Sequence, residues 1–175
     1  TYSTITGVNG ETGATVGTVD VSHTAHTDAG TYTTDYWFFT GTANYNNIAN
    51  TTITDTILQA PVTATAGSGS TTYDGATHTP SACAVAGTYT GDLSCANDPA
   101  SVGPGAGSYP ITPVTSGTGL GNYAITPVNG TYTINKADAT FTVTPYTVTY
   151  DGNSHVATYS TITGVNGETG ATVGT

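Results

Sequence analysis

TYSTITGVNGETGATVGT, Thr1 to Thr18, returns letter for letter as Thr158 to Thr175. Identity over that length does not arise by chance, and it sets a period of 157 residues (Thr158 against Thr1). A long internal period decides architecture before any local reading, because each repeat is a unit stacked on its neighbours. The expectation is one full repeat plus an overlap, taken from a longer tandem array.

A fainter repeat lies inside the first. Tyr73-Asp74-Gly75-Ala76-Thr77-His78 and Tyr150-Asp151-Gly152-Asn153-Ser154-His155 share Y-D-G-x-x-H. Ala29-Gly30-Thr31-Tyr32 matches Ala106-Gly107-Ser108-Tyr109, and Asn44-Tyr45 matches Asn122-Tyr123. Asn50-Thr51-Thr52 is matched with Asn129-Gly130-Thr131. The offsets of 77 to 79 split the period into two diverged modules of a size common for small β domains. Residues 59–138 form a complete module B, and residues 139–175 form the N-terminal part of a module A. Residues 1–58 form the C-terminal part of module A, completed by the equivalent of 139–157 from the preceding repeat. The junctions Leu58-Gln59-Ala60-Pro61 and Asn135-Lys136-Ala137-Asp138 are too short to be flexible tethers.

Thr is the commonest residue, with 23 Gly and 12 Tyr, while the helix builders Lys, Glu and Leu are scarce. The fold class is all-β: tandem small β-sandwich-like modules, immunoglobulin-like or β-grasp-like, two per repeat. One Lys against eleven Asp and Glu gives a charge of −10, which excludes nucleic-acid backbone binding for want of cations. It also argues against docking on anionic membranes, and no apolar run approaches the length of a membrane span. No oxygen-rich calcium loop is present, so no cofactor is expected; calcium is the only one the acidity would attract. Cys83 and Cys95 predict a disulfide made in an oxidising compartment, and hence an extracellular or cell-surface location.

Period-two alternation predicts a strand running through Phe141, Val143, Tyr146, Val148 and Tyr150. Further strands are expected at 156–163, 16–22, 31–40 and 51–57 in module A. Those of module B are expected at 61–65, 81–85, 109–114, 123–127 and 130–134. Asn9-Gly10, Asp74-Gly75, Asn129-Gly130, Asp151-Gly152 and Asn166-Gly167 are turn signals. Asp35-Tyr36-Trp37-Phe38-Phe39 carries aromatics on both parities, so both faces of that strand should be covered. Trp37 and Phe39 are expected in the core, with Tyr36 and Phe38 under a loop, a neighbouring module or another chain.

Taken together, Y-D-G-x-x-H, A-G-[TS]-Y, the N-Y pair and the exit T-Y-T-I-N-K-A resemble the MBG-type modules (of the YDG/YGX kind) of large bacterial surface adhesins. The resemblance spans both modules and implies a small all-β spacer on the cell surface with no catalytic residue. The chain departs from that pattern in its cysteine pair and in the aromatic strand, which is one residue longer.

Chemistry-bearing groups are few. His23 and His26, flanked by Asp20 and Asp28, are weak metal candidates, because positions three apart on a strand face opposite sides. His78 and His155 recur at one place in each module, which points to a hydrogen bond near the Asp-Gly turn. No nucleophile elbow accompanies the Ser, His and Asp residues, and no enzyme is expected. Asn50 and Asn129 open N-x-[ST] sequons and are candidate N-glycosylation sites. The expected function is structural: a repeat unit of an extracellular filament or adhesin stalk, as a long array or as head-to-tail units. Its partners are then copies of itself along a fibre, and surface glycans. The alternative is a carbohydrate- or protein-binding adhesin module using Trp37 and Tyr36.

Overall fold

The structure is a computed structural model that describes residues 4–172. The outermost residues of the two identical segments, 1–3 and 173–175, lie outside the described residues. The chain is all-β. Its strands are β1 (Gly17–Asp20), β2 (Gly30–Gly41), β3 (Ile48–Ile57), β4 (Ala60–Thr65), β5 (Gly69–Thr72) and β6 (Ala84–Gly87). They continue as β7 (Ser94–Asp98), β8 (Gly107–Ser116), β9 (Tyr123–Val128), β10 (Gly130–Asn135), β11 (Val143–Thr144) and β12 (Thr158–Tyr159). The helical turns among the described residues are short 3-10 pieces, such as Gly13–Thr15 and Ser22–Thr24.

Two compact units emerge. The first holds the chain to Val62 with Gly87–Tyr89 and Thr118–Ala124, and the second holds Thr63–Ala86, Thr90–Gly117 and the chain from Ile125. In the first, β1, β2 and β3 make an antiparallel sheet in that order. Few apolar residues are buried there: Val16, Phe39, Val62 and Tyr123, with Tyr89 stacked on Tyr123.

The second unit contains the sheet β5-β10-β8-β7, with β10 antiparallel to β8 and parallel to β5. Val102, Ile111, Tyr132 and Ile134 bury against Ala66, with Tyr73 and Tyr109 packed around them. Ile111 and Ile134 are essentially inaccessible. Burying such a side chain contributes about 2 kcal/mol, so these few residues anchor the sheet. Another sheet has the order β6-β4-β9. Cys95 on β7 is bonded to Cys83, just ahead of β6, with Cα atoms 5.6 Å apart. Closing that loop contributes about 3 kcal/mol by restricting the unfolded chain.

Several expectations need correction. The alternation from Phe141 to Tyr150 yields only β11, because the remainder has no strand beside it among the described residues. Alternation marks a surface suited to a sheet; the ladder itself needs a partner. Asn129-Gly130 is not a hairpin turn, since β9 and β10 belong to different sheets. Gly130 is needed for another reason: a Cβ there would collide with the Gly67 carbonyl. Gly10, Gly75, Gly152 and Gly167 do take positive φ, but the Asn or Asp before each does not, so these are turns with a single left-handed glycine and not type I′ hairpin turns.

Candidate interaction surface

The aromatic strand β2 is shaped by two irregularities in its pairing with β3, between Tyr32 and Asp35 and between Trp37 and Phe39. Bulges of this kind twist a strand and re-aim its side chains. At its start β2 matches β8 residue for residue 77 positions on (Gly30↔Ile57 against Gly107↔Ile134). At its end the offset is 75 (Gly17↔Gly41 against Ser94↔Ser116), so β2 holds two extra residues rather than one. Phe39 is buried, but Trp37 is only half-buried and lies outside the core. Tyr36 and Phe38 are half-buried on the opposite face, which a loop covers: the His23 ring stacks on Tyr36 with centroids 4.2 Å apart.

His23 and His26 do not converge. β1 ends at Asp20, whose Oδ1 accepts the Ser22 amide at 2.8 Å and opens the 3-10 turn. That turn sends His23 to Tyr36. His26 stacks flat on Tyr32, and its Nε2 lies 2.7 Å from Oδ2 of Asp35. Asp35 is 5% exposed, the one buried charged side chain among the described residues. Both histidines are thus engaged in packing, and no group of three or more His, Cys, Asp or Glu is gathered among the described residues.

The Y-D-G-x-x-H element is a latch built twice. Oδ1 of Asp74 accepts the Ala76 amide at 2.9 Å and lies 3.0 Å from His78 Nε2. Oδ1 of Asp151 accepts the Asn153 amide at 2.9 Å and lies 2.9 Å from His155 Nε2. The amides at Ala76 and Asn153, helped by the histidines, hold both carboxyls below the usual aspartate range. His78 also stacks on Tyr132, whereas His155 meets Tyr146 instead.

A tyrosine–glutamate bond, not foreseen from the sequence, also occurs twice. The Tyr45 hydroxyl donates to Glu11 Oε2 at 2.8 Å, and the Tyr73 hydroxyl donates to Glu168 Oε1 at 2.8 Å. Each glutamate carboxyl is held low, first by its own backbone amide and then by the tyrosine. Each tyrosine is pushed up by the carboxylate it faces. The signal was present: Glu11 and Glu168 occupy one position of the exact repeat, and acidic residues are rare here. Tyr73 and Glu168 line an open cleft of about 400 Å³ together with Lys136 and Asp138.

The largest exposed apolar set is one sequence stretch. Phe141, Val143, Tyr146, Val148 and Tyr150 are each more than half accessible, with Tyr150 at 93%. Asn50, on β3, and Asn129, between β9 and β10, are both exposed and thus accessible to a glycosylating enzyme. Searches with protein-family models, against curated proteins and against solved structures return no match to this chain.

Proposed function

We propose that this chain is a structural repeat unit of an extracellular filament or cell-surface adhesin stalk. The observation that carries the reading is the segment present twice. In each copy the same antiparallel bridge forms (Thr6↔Thr12, Thr163↔Thr169). The same closing bond forms as well, from Gly13 N to Ile5 O and from Gly170 N to Ile162 O, 2.9 Å in both. The segment therefore encodes its own loop in two different surroundings, as a part reused along an array must. The disulfide supports an oxidising, extracellular setting, and the resemblance to MBG-type spacer modules agrees with it.

A continuous array is preferred over separate head-to-tail subunits, because in the latter Thr158–Thr175 would compete with the next chain's Thr1–Thr18 for one place. A ligand-binding role through Tyr36 and Trp37 is less well supported, since His23 already occupies one face of Tyr36. The test is the intact mass of undigested native material under denaturing, reducing conditions. A mass far above 17.5 kDa, with peptides running from Thr175 into Val-Asp-Val-Ser-His, is the expected result. A single species near 17.5 kDa that forms no larger assembly in native conditions would sink the structural reading.

A further inference from the structure

We infer that the free edge of β3 is a docking site for a second copy of this chain's own segment 139–157, which adds a parallel strand through Tyr146–Thr149. The inference rests on the repeat-unit reading and deepens it by naming the joint and its register.

Module B supplies the template. Thr131-Tyr132-Thr133-Ile134 on β10 corresponds to Thr54-Asp55-Thr56-Ile57 on β3, 77 residues earlier. The equivalence rests on pairing as well as letters: Ser108↔Thr133 and Tyr109↔Tyr132 answer to Thr31↔Thr56 and Tyr32↔Asp55. It also replaces the offset of 79 that the Asn50 and Asn129 sequons suggest. β10 is flanked on both sides, by β8 and by the parallel strand β5. Among the described residues β3 is flanked by β2 alone. What β3 lacks is the counterpart of β5, and 77 residues after β5 stands Tyr146–Thr149. That stretch is outside any strand and exposed. An open edge and an unpaired segment that fits it are complementary donors and acceptors of one ladder.

The side chains agree with the match. In module B, Gly69 faces Tyr132, and a Cβ on Gly69 would collide with the Tyr132 ring. In module A the large and small partners are exchanged: Tyr146 stands for Gly69, and Asp55 stands for Tyr132. The ring beside the latch histidine is conserved in kind although its strand changes, Tyr132 beside His78 and Tyr146 beside His155. Buried Ala64 and Ala66 likewise have Phe141 and Val143 as exposed counterparts. Asp55 gives a second, independent sign. Its Oδ2 is buried without a hydrogen-bond partner among the described residues, a costly condition that a hydroxyl on the incoming strand would relieve. Copying the β5–β10 register gives Tyr146↔Asp55, Thr147↔Thr56 and Val148↔Ile57. Tyr146 then brings its hydroxyl to the face that holds the unpartnered carboxylate oxygen.

The test uses the whole chain in two singly substituted forms, Asp55→Cys and Tyr146→Cys, mixed under mild oxidation. Directly paired strand residues have Cα spacings that a disulfide can bridge. The mixture should form a heterodimer about tenfold faster than Asp55→Cys mixed with Thr147→Cys, whose thiol faces the other side of the strand. A synthetic peptide of residues 139–157 should suppress the product, and the same peptide carrying Val148→Asp should not. Equal rates for the two mixtures would overturn the inference, as would an Asp55→Cys/Tyr146→Cys double variant that closes only within one chain. Either failure is separable from failure of the repeat-unit reading, which rests on native mass and assembly and not on this register.

Discussion

The sheets β5-β10-β8-β7 and β1-β2-β3 are built on the same strand pair, yet one is closed by a core and the other is not. Ile134 on β10 is 2% exposed, while its counterpart Ile57 on β3 is 38% exposed. The backbone register is shared, so the ladder alone does not account for the difference. What differs is the neighbour. β10 has β5 alongside and Ala66, Val102 and Ile111 packed against it, whereas β3 ends in an open edge. A strand pair of this sequence is therefore a half-finished object, stabilised in proportion to what is laid against it.

The largest effect should come from cutting back these two isoleucines. Ile134→Ala should destabilise the second unit by about 3 kcal/mol, because a buried side chain is lost and a cavity is left. Ile57→Ala in the isolated chain should cost about 1 kcal/mol or less, since more than a third of the residue is already in water and no core closes over it. Trp37 belongs to the first unit, so its fluorescence follows Ile57→Ala in a denaturant titration. Near-UV circular dichroism of Tyr73, Tyr109 and Tyr132 follows Ile134→Ala. Equal costs at the two positions would break the comparison. A rise in the Ile57→Ala cost when the 139–157 peptide is present would sharpen it.

A middle-sized effect is expected at the buried carboxylate. His26→Ala removes the partner 2.7 Å from Asp35 and leaves an almost inaccessible charge without it. A loss of about 2 kcal/mol, read by Trp37 fluorescence, is the expected outcome. His26→Gln should recover part of it, because an amide still donates. A metal role would predict something else: stabilisation of the unsubstituted chain by added Zn²⁺ or Ni²⁺, abolished by His26→Ala. No such stabilisation is expected, since His23 is held against Tyr36.

The parts of this fold that were legible in the sequence are those with a local cause. The all-β class followed from Thr, Tyr and Gly usage, the disulfide from two cysteines in a Lys-poor chain, and four turns from Asn-Gly and Asp-Gly pairs needing positive φ. The omissions share a non-local cause. β5 is Gly-Ser-Thr-Thr, with no apolar alternation at all, and exists because β10 offers its edge and Tyr132 needs a glycine opposite. β7 is similarly polar and is set by Cys95 and by its pairing with β8. The reverse error occurred at Phe141–Tyr150, where the pattern of a strand runs on past β11 with no strand beside the remainder among the described residues. At the histidines, strand spacing was the wrong frame, because Asp20 caps the strand two residues early and the chain turns.

The smallest expected effect compares the two tyrosine–glutamate bonds, and its sign follows from the direction of the shifts. Glu11 and Glu168 are held below the ordinary glutamate range in the fold, so the stabilisation they give is present above that range. It is lost as pH falls through their lowered folded values. Tyr45 and Tyr73 are pushed up, so the neutral hydroxyl is the form the fold favours. Their contribution is complete below the ordinary tyrosine range and disappears as pH rises through the raised folded values. Each bond thus works across the neutral window and fails at both ends. Glu11→Gln should flatten the acid limb of stability against pH as read by Trp37, and Glu168→Gln should flatten it in the tyrosine signal of the second unit. Tyr45→Phe should remove the alkaline limb in the first unit while weakening the acid one only in part, because the Glu11 amide remains the larger influence on its carboxyl. If Glu11→Gln and Glu168→Gln changed their acid limbs alike, the same loop would be shown to carry the same local energetics in both settings. A response confined to Glu11 would mean that the bond matters only where β1 and β2 are in place to receive the loop.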